Sequence, residues 1–410
     1  MGKGRAARHS LRLGDDVSGR RTARLTAQCA VLAVAFVSAR WLGNVWHWPL
    51  LDLDVYRRAA AELVDGRSLY DSAPHLPHPD LPFTYPPFAA LVFVPANLVG
   101  LGVAGLLLSL ASLGCFAMVM LSCARRLGLD WSTALPLTFL CLALEPVQRT
   151  LWLGQVNLLL AAMVVADCLL VPPRARGLLT GLAAGIKIVP GIYVGYFLLR
   201  RDWASAARAA AAFACTVALS VVADRRDTVR FWTRLFWNPD HVGQQAYVSN
   251  QSVFGQLVRL THNLHPAYAS YAALALCALG LAGYAAWCQL SLGNEVAALT
   301  CVAFGGLLAS PISWSHHWIW FAPALLVLVA RGQWRGAAVL ALVPALAPQW
   351  WTPAGALREF HHQWWQTALC LSYTVAGVSF LVAMCRVPQR RTVDSQVVRA
   401  EHAVQSGQSR

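Results

Sequence analysis

G-V-A-G-L-L-L-S-L-A-S-L-G-C-F-A-M-V-M-L-S-C, residues 102–123, carries no charged side chain and is followed at once by Arg125 and Arg126. A helix of about 20 apolar residues crosses the hydrocarbon core of a bilayer, and this run meets that length. Similar blocks recur on both sides of it, at about 25–41, 132–145, 154–171, 203–223, 268–287, 296–312, 318–330, 336–349 and 366–385. Together they predict about ten crossings. Two further apolar pieces fit less simply. Residues 88–100 run straight into the block at 102, and residues 177–199 carry Lys187 and Pro190 near their centre, as a broken or re-entrant helix would. If both cross, the count is about twelve.

Composition agrees with lipid as the solvent. Hydrophobic residues make up 57% of the 410 and charged residues 13%, against roughly 25% charged in a soluble domain. Lys and Arg are retained on the cytoplasmic side of short loops. With ten crossings, the basic N-terminal tail, Arg125/Arg126, Arg174/Arg176, Arg200/Arg201/Arg208, Arg331/Arg335 and the C-terminal tail all fall inside, and both termini are cytoplasmic. The net charge of +14 is spread over loop ends rather than gathered on one domain. It therefore reads as topology and attraction to anionic lipid, with no nucleic acid as partner. The eleven cysteines lie in or beside apolar blocks without a Cys-x-x-Cys pair, as packing residues do.

On this topology the polar, chemistry-bearing residues crowd the outer side. The first outer loop, about 42–87, holds Asp52-Leu53-Asp54-Val55-Tyr56 and Phe83-Thr84-Tyr85-Pro86-Pro87; the second holds Glu145 and Gly154-Gln155-Val156-Asn157; later ones hold Asn250-Gln251-Ser252 and Ser313-Trp314-Ser315-His316-His317-Trp318. All of the 17 tryptophans except Trp131, Trp203, Trp287 and Trp334 lie in or beside these outer segments. An aromatic belt alone favours both interfaces equally, so the excess suits stacking on sugar rings or lining an isoprenoid groove. His316 and His317, being adjacent, cannot face one way on a helix, and one of them at most is expected in a site. None of the histidines has metal-ligand spacing such as H-E-x-x-H.

Val55 to Val64 alternates apolar and charged residues at helical spacing (Val55, Ala59, Leu63 against Arg57, Arg58, Glu62) and stops at Asp65-Gly66. The pattern predicts a short amphipathic helix on the membrane surface with Asp52 and Asp54 at its N-terminal end. One aspartate suffices as a cap. Two acids at i and i+2 share a face in an extended chain and point apart in a helix.

These residues resemble glycosyltransferase family 87, membrane GT-C enzymes that include mycobacterial polyprenyl-phosphate-mannose-dependent α-1,2-mannosyltransferases. The resemblance runs through D-L-D-V-Y (52–56), G-R-S-L-Y (66–70), F-T-Y-P-P (83–87), G-Q-V-N-L-L (154–159), G-I-K-I-V-P (185–190), N-Q-S (250–252) and S-W-S-H-H-W (313–318). It implies an all-α polytopic membrane protein, a GT-C-like bundle of about 10–12 transmembrane helices with extracytoplasmic catalytic loops. The expected parts are a basic cytoplasmic tail over 1–24, the glycosyltransferase domain over 25–385 and a disordered cytoplasmic tail over 386–410.

The implied reaction moves mannose from polyprenyl phosphate mannose to a hydroxyl of a mannosylated lipid acceptor, a phosphatidylinositol mannoside or lipomannan, in the plasma membrane. Asp52 matches the family's loop acid and is the expected catalytic base, with Asp54 as runner-up. Lys187 is the expected phosphate partner, because an intramembrane lysine is costly without a function; pairing with Asp167 or Glu145 is its bland alternative. Tyr56, Tyr85, Gln155, Asn157, Asn250 and Gln251 are candidates for sugar hydroxyls, and His316 or His317 for orienting the acceptor or the phosphate. A monophosphate donor removes the main reason for a divalent ion, so no metal and no cofactor are expected. The competing class is a lipid or lipid-linked sugar transporter, which would place its polar site at mid-membrane, commonly between internal repeats; no such repeat is evident.

Overall fold

The computed structural model describes residues 50–71 and 81–386. The tails and the span expected at 25–41 lie outside the described residues. Within them the chain is helical, and the only β-structure is one antiparallel bridge between Asn250 and Trp314. In order, the α-helices are α1 Leu51–Val64, α2 Pro87–Phe93, α3 Leu101–Arg126, α4 Trp131–Cys141, α5 Glu145–Leu153, α6 Asn157–Leu169, α7 Leu178–Ile186, α8 Tyr193–Leu199, α9 Trp203–Ala223, α10 Arg225–Thr233, α11 Val253–Thr261, α12 Tyr268–Ser291, α13 Glu295–Ala309, α14 Phe321–Ala330, α15 Trp334–Leu346, α16 Trp364–Cys370 and α17 Ser372–Cys385. Three of them, α3, α9 and α12, are by themselves long and apolar enough to cross a membrane, and two bent pairs, α5/α6 at 116° and α16/α17 at 54°, raise the number to five. The remaining apolar blocks fall on helices of 10–17 residues. The protein is an all-α, multi-pass membrane protein.

The breaks have local causes. Pro146 stands at the start of α5, where its missing N–H costs nothing. Gly154 closes that helix in the left-handed conformation (φ 68°), and a Cβ there would lie 2.7 Å from the Leu53 side chain. The apolar block expected over 132–145 therefore ends at Cys141, and Glu145 opens a new helix. Segment 177–199 is likewise split: α7 ends at Ile186, Lys187 is extended, and a 3-10 turn over Val189–Ile192 leads into α8. Gly177, Gly181 and Gly185 bring α7 against α9, where added Cβ atoms would meet Ser205 O, Ala209 O and Thr216 at 2.1–2.3 Å. This spacing of small residues lets two membrane helices approach backbone to backbone. Asp167, fully buried, accepts the Gly177 and Thr180 amides and the Thr180 hydroxyl, which fixes the start of α7 on α6.

Helix α1 begins at Leu51, four residues ahead of the expected start. Leu50 turns the chain in left-handed geometry (φ 39°), and neither aspartate caps the helix. Its buried stripe is Leu53, Tyr56, Ala59 and Ala60, with Val55 and Leu63 only half-buried. The stripe packs with Phe83, Tyr85 and Phe93 into an apolar cluster that docks the outer loop on the bundle. Arg57 and Asn97 tie the helix to the turn after α2.

Candidate active site

Because Asp52 and Asp54 sit in a helix, roughly 200° separates them around its axis. Asp54 is paired with Arg58 one turn on and stays on the outer side of α1. Asp52 faces the bundle, where it hydrogen-bonds the Gln155 amide and lies in the field of Lys187 and Arg149. Solvent reaches part of it, but protein surrounds it closely. Burial raises its pKa above the usual carboxylate value, while the Gln155 bond and the two cations work against the rise. The result is a carboxylate more basic than a surface aspartate.

A relay of hydrogen bonds fixes that carboxylate. Tyr56 Oη donates to Tyr85 Oη (2.8 Å), and Tyr85 Oη donates to Gln155 Oε1 (3.2 Å). With its carbonyl oxygen engaged there, Gln155 has its NH₂ to offer Asp52. Tyr70 donates to the Tyr85 carbonyl (2.8 Å), so G-R-S-L-Y buttresses F-T-Y-P-P.

Lys187 reaches the same place from the break after α7. Its Nζ donates to Asn157 Oδ1 (2.9 Å), lies 3.0 Å from His317 Nε2 and sits 5.2 Å from the Tyr85 ring centre. Neither bland partner holds it: Asp167 binds α7 amides, and Glu145 accepts from Ser315, Trp350 and Tyr373. Asn157 Nδ2 in turn donates to the His316 carbonyl (3.0 Å). His316 and His317 occupy a 3-10 turn, Ser315–Trp320, with rings edge to face at 4.7 Å. Both are in the field of Lys187. Both ring nitrogens of His316 and Nδ1 of His317 are buried without a partner.

Behind Lys187 an open cavity runs between α6, α8, α13 and the 315–320 turn. Asn157, Lys187 and His317 form its polar end; Leu160, Val164, Ile192, Leu307 and others form a long apolar wall. A second void, lined by Phe116, Val119, Leu158 and Pro323, shares Ala161, Ile319 and Trp320 with the first.

Asn250 and Gln251 are placed otherwise. Both are fully buried. The Asn250 side chain donates to Gln245 O and Pro311 O and accepts from Ser252 and Ser313. The Gln251 amide donates to Ser313 O, and its side chain to Val248 O. They lock the 245–252 loop to the 311–315 segment that precedes His316, and no contact among the described residues links them to Asp52 or Lys187.

Arg149 is the residue that the sequence reading passed over. It lies on α5 with its guanidinium carbon 4.0 Å from the Trp350 ring centre and 5.2 Å from that of Trp152. Its charge acts on both Asp52 and His316. An arginine on the expected outer side, against the inward bias of basic residues, with Trp152 three residues on, was the available signal. Among the described residues no group of three His, Cys, Asp or Glu side chains could hold a metal ion.

A carboxylate on an outer helix, two basic side chains and an amphipathic cavity inside a helical bundle suit a membrane enzyme that handles an anionic lipid. The family model "Glycosyltransferase family 87" matches residues 83–311. A polyprenol-phosphate-mannose-dependent alpha-(1-2)-phosphatidylinositol mannoside mannosyltransferase of Mycobacterium tuberculosis is 33% identical over 398 residues, 88% of this chain and 91% of the relative. One of the same description from Mycolicibacterium smegmatis is 33% identical over 85% of this chain and 84% of its own length. A phosphatidylinositol pentamannoside mannosyltransferase of that organism is also 33% identical, over 78% and 80%. No solved structure matches. The chain belongs to glycosyltransferase family 87 and is a membrane glycosyltransferase.

Proposed function

We propose that this enzyme transfers mannose from polyprenol phosphate mannose to a mannose hydroxyl of a phosphatidylinositol mannoside at the extracytoplasmic face of the plasma membrane, forming an α-1,2 linkage with inversion. By family and relatives it is a polyprenol-phosphate-mannose-dependent mannosyltransferase. The observation that carries the mechanism is Asp52, one closely surrounded carboxylate in the field of both Lys187 and Arg149. Asp52 accepts the proton of the acceptor hydroxyl as its oxygen bonds to the anomeric carbon; the bond from that carbon to the phosphate oxygen breaks on the opposite face, and polyprenyl phosphate leaves. Lys187 and His317 hold the phosphate as its charge grows, and the apolar wall behind them receives the isoprenoid chain. Tyr56, Tyr85, Gln155 and Asn157 set the positions of Asp52 and Lys187. Asn250 and Gln251 act through the loop that carries His316. Asp54, joined to Arg58, stays outside the reaction.

The test is incubation of membranes containing the protein with radiolabelled polyprenol phosphate mannose and a series of phosphatidylinositol mannosides. The expected product carries label that an α-1,2-mannosidase releases. Label that crosses between leaflets with no new glycosidic bond overturns the proposal in favour of transport.

A further inference from the structure

Joined to Arg149, whose charge acts on Asp52, are four half-buried aromatic rings that the reaction above leaves without a role: Trp152, Tyr247, Trp314 and Trp350. Tyr247 meets Trp350 and Trp314 edge to face, with ring centres 5.9 and 6.3 Å apart. Trp350 is pinned by its indole N–H on Glu145 (2.8 Å), the carboxylate that also takes the Ser315 and Tyr373 hydroxyls. Arg149 lies against the rings of Trp350 and Trp152, and its Nε is buried with no hydrogen-bond partner.

We infer that this patch is the acceptor sugar subsite: the terminal mannosyl ring of the acceptor rests its apolar C–H face on the exposed indole surface, with Arg149 donating to its hydroxyls. The inference rests on the proposed function and adds the site for its second substrate. Three observations carry it. An indole face is negative and attracts polarised C–H groups, and these rings keep part of their surface open. Arg149 offers a rigid fork of donors beside them. Its charge also reaches Asp52, so a sugar held on the patch lies toward the base. Displacement with inversion requires that the attacking hydroxyl and the leaving phosphate occupy opposite sides. The amphipathic cavity at Lys187 suits a lipid phosphate, whereas the aromatic patch suits a sugar.

The test uses purified full-length protein with labelled polyprenol phosphate mannose and octyl α-mannoside as the acceptor probe. Trp350→Ala and Trp152→Ala are expected to raise the acceptor KM roughly tenfold or more, as loss of a central aromatic anchor does, while leaving the donor KM within about twofold. Trp350→Phe, which keeps a ring, recovers most of the loss. Octyl α-mannoside binding measured without donor reads the patch independently of turnover and is expected to weaken in step. Unchanged acceptor binding, or a rise in donor KM alone, overturns the inference. Should Trp350→Ala fail to fold, the Trp152→Ala and Trp350→Phe proteins decide by the same ratio. A wild-type protein that binds the mannoside but transfers nothing sinks the mannosyltransferase reading and leaves the patch standing.

Discussion

Asp52→Asn and Asp54→Asn, two positions apart on one helix, should have opposite consequences. Asparagine keeps the shape of the side chain, and its carbonyl oxygen still accepts from the Gln155 amide, so the relay from Tyr56 through Tyr85 stays intact. What Asp52→Asn removes is the proton acceptor. General-base catalysis contributes about 10²- to 10⁴-fold, or roughly 2.7–5.4 kcal/mol of barrier, and the loss should fall in that range. Stability should move the other way. The folded-state pKa of Asp52 lies above its unfolded value because burial dominates. Such a group favours the fold fully below the unfolded pKa and loses that contribution as pH rises through the folded one. At neutral pH the ionised form is therefore a cost, and Asp52→Asn should melt no lower than wild type. Asp54→Asn breaks only a half-exposed i,i+4 pair with Arg58, worth about 0.3–0.5 kcal/mol, and should leave transfer within a few-fold of wild type. Initial rates with labelled donor and saturating acceptor, alongside thermal melts in detergent, read both quantities. Asp52→Asn retaining a tenth of the rate, or Asp54→Asn losing a hundredfold, refutes the assignment of the base.

Lys187→Met should lower kcat/KM for the donor by about 10²–10³-fold, the usual effect of removing one charge-stabilising group, with donor-concentration series as the readout. The kcat/KM profile should show an acidic limb above the ordinary aspartate range, set by the raised pKa of Asp52, and Asp52→Asn should abolish that limb in its residual activity. Gly255→Ala puts a Cβ 2.7 Å from the Asn250 side chain and carbonyl; overpacking of this kind costs about 1–3 kcal/mol, and melting temperature and transfer rate should fall together. EDTA should leave transfer unchanged, because Asp52 and Asp54 point apart and Asp54 is occupied by Arg58, so the D-L-D spacing does not present two carboxylates to one ion.

Much of the site was legible because a polar residue at the edge of an apolar block has few reasons to be there. Asp52, Tyr85, Gln155, Asn157, Lys187, His316 and His317 stand out on that ground, and the structure brings them together from five separate segments. Asn250 and Gln251 show the limit. A sequence reveals that an amide will need partners in an apolar setting but not whether they are sugar hydroxyls or the protein's own backbone, and here backbone groups take most of them. Arg149 was obscured by the opposite difficulty, since its partners are the faces of two tryptophans, one of them about 200 residues away. Span boundaries suffered where one apolar stretch holds two helices. Hydrophobicity runs on through 366–385, but α16 ends at Cys370 and α17 leaves it at 54°.

The two cations around a single acid make sense as charge conservation at a lipid boundary, where stray charge is costly. Counting the imidazoles as neutral, and setting aside Glu145, whose oxygens are taken by the Ser315, Trp350 and Tyr373 donors, Asp52, Lys187 and Arg149 sum to one positive charge. In the proposed reaction the donor brings one negative charge as a phosphodiester, and the loaded site is neutral. As transfer proceeds, Asp52 takes a proton and loses its charge while the departing phosphate monoester gains one. The sum stays at zero from reactants to products, and the charge has only to shift from the carboxylate toward Lys187. A site with one cation would become more negative than its surroundings tolerate once the donor was bound. A second acid would do the same, and Asp54 is kept out of the sum by Arg58 and by its place on the far side of α1.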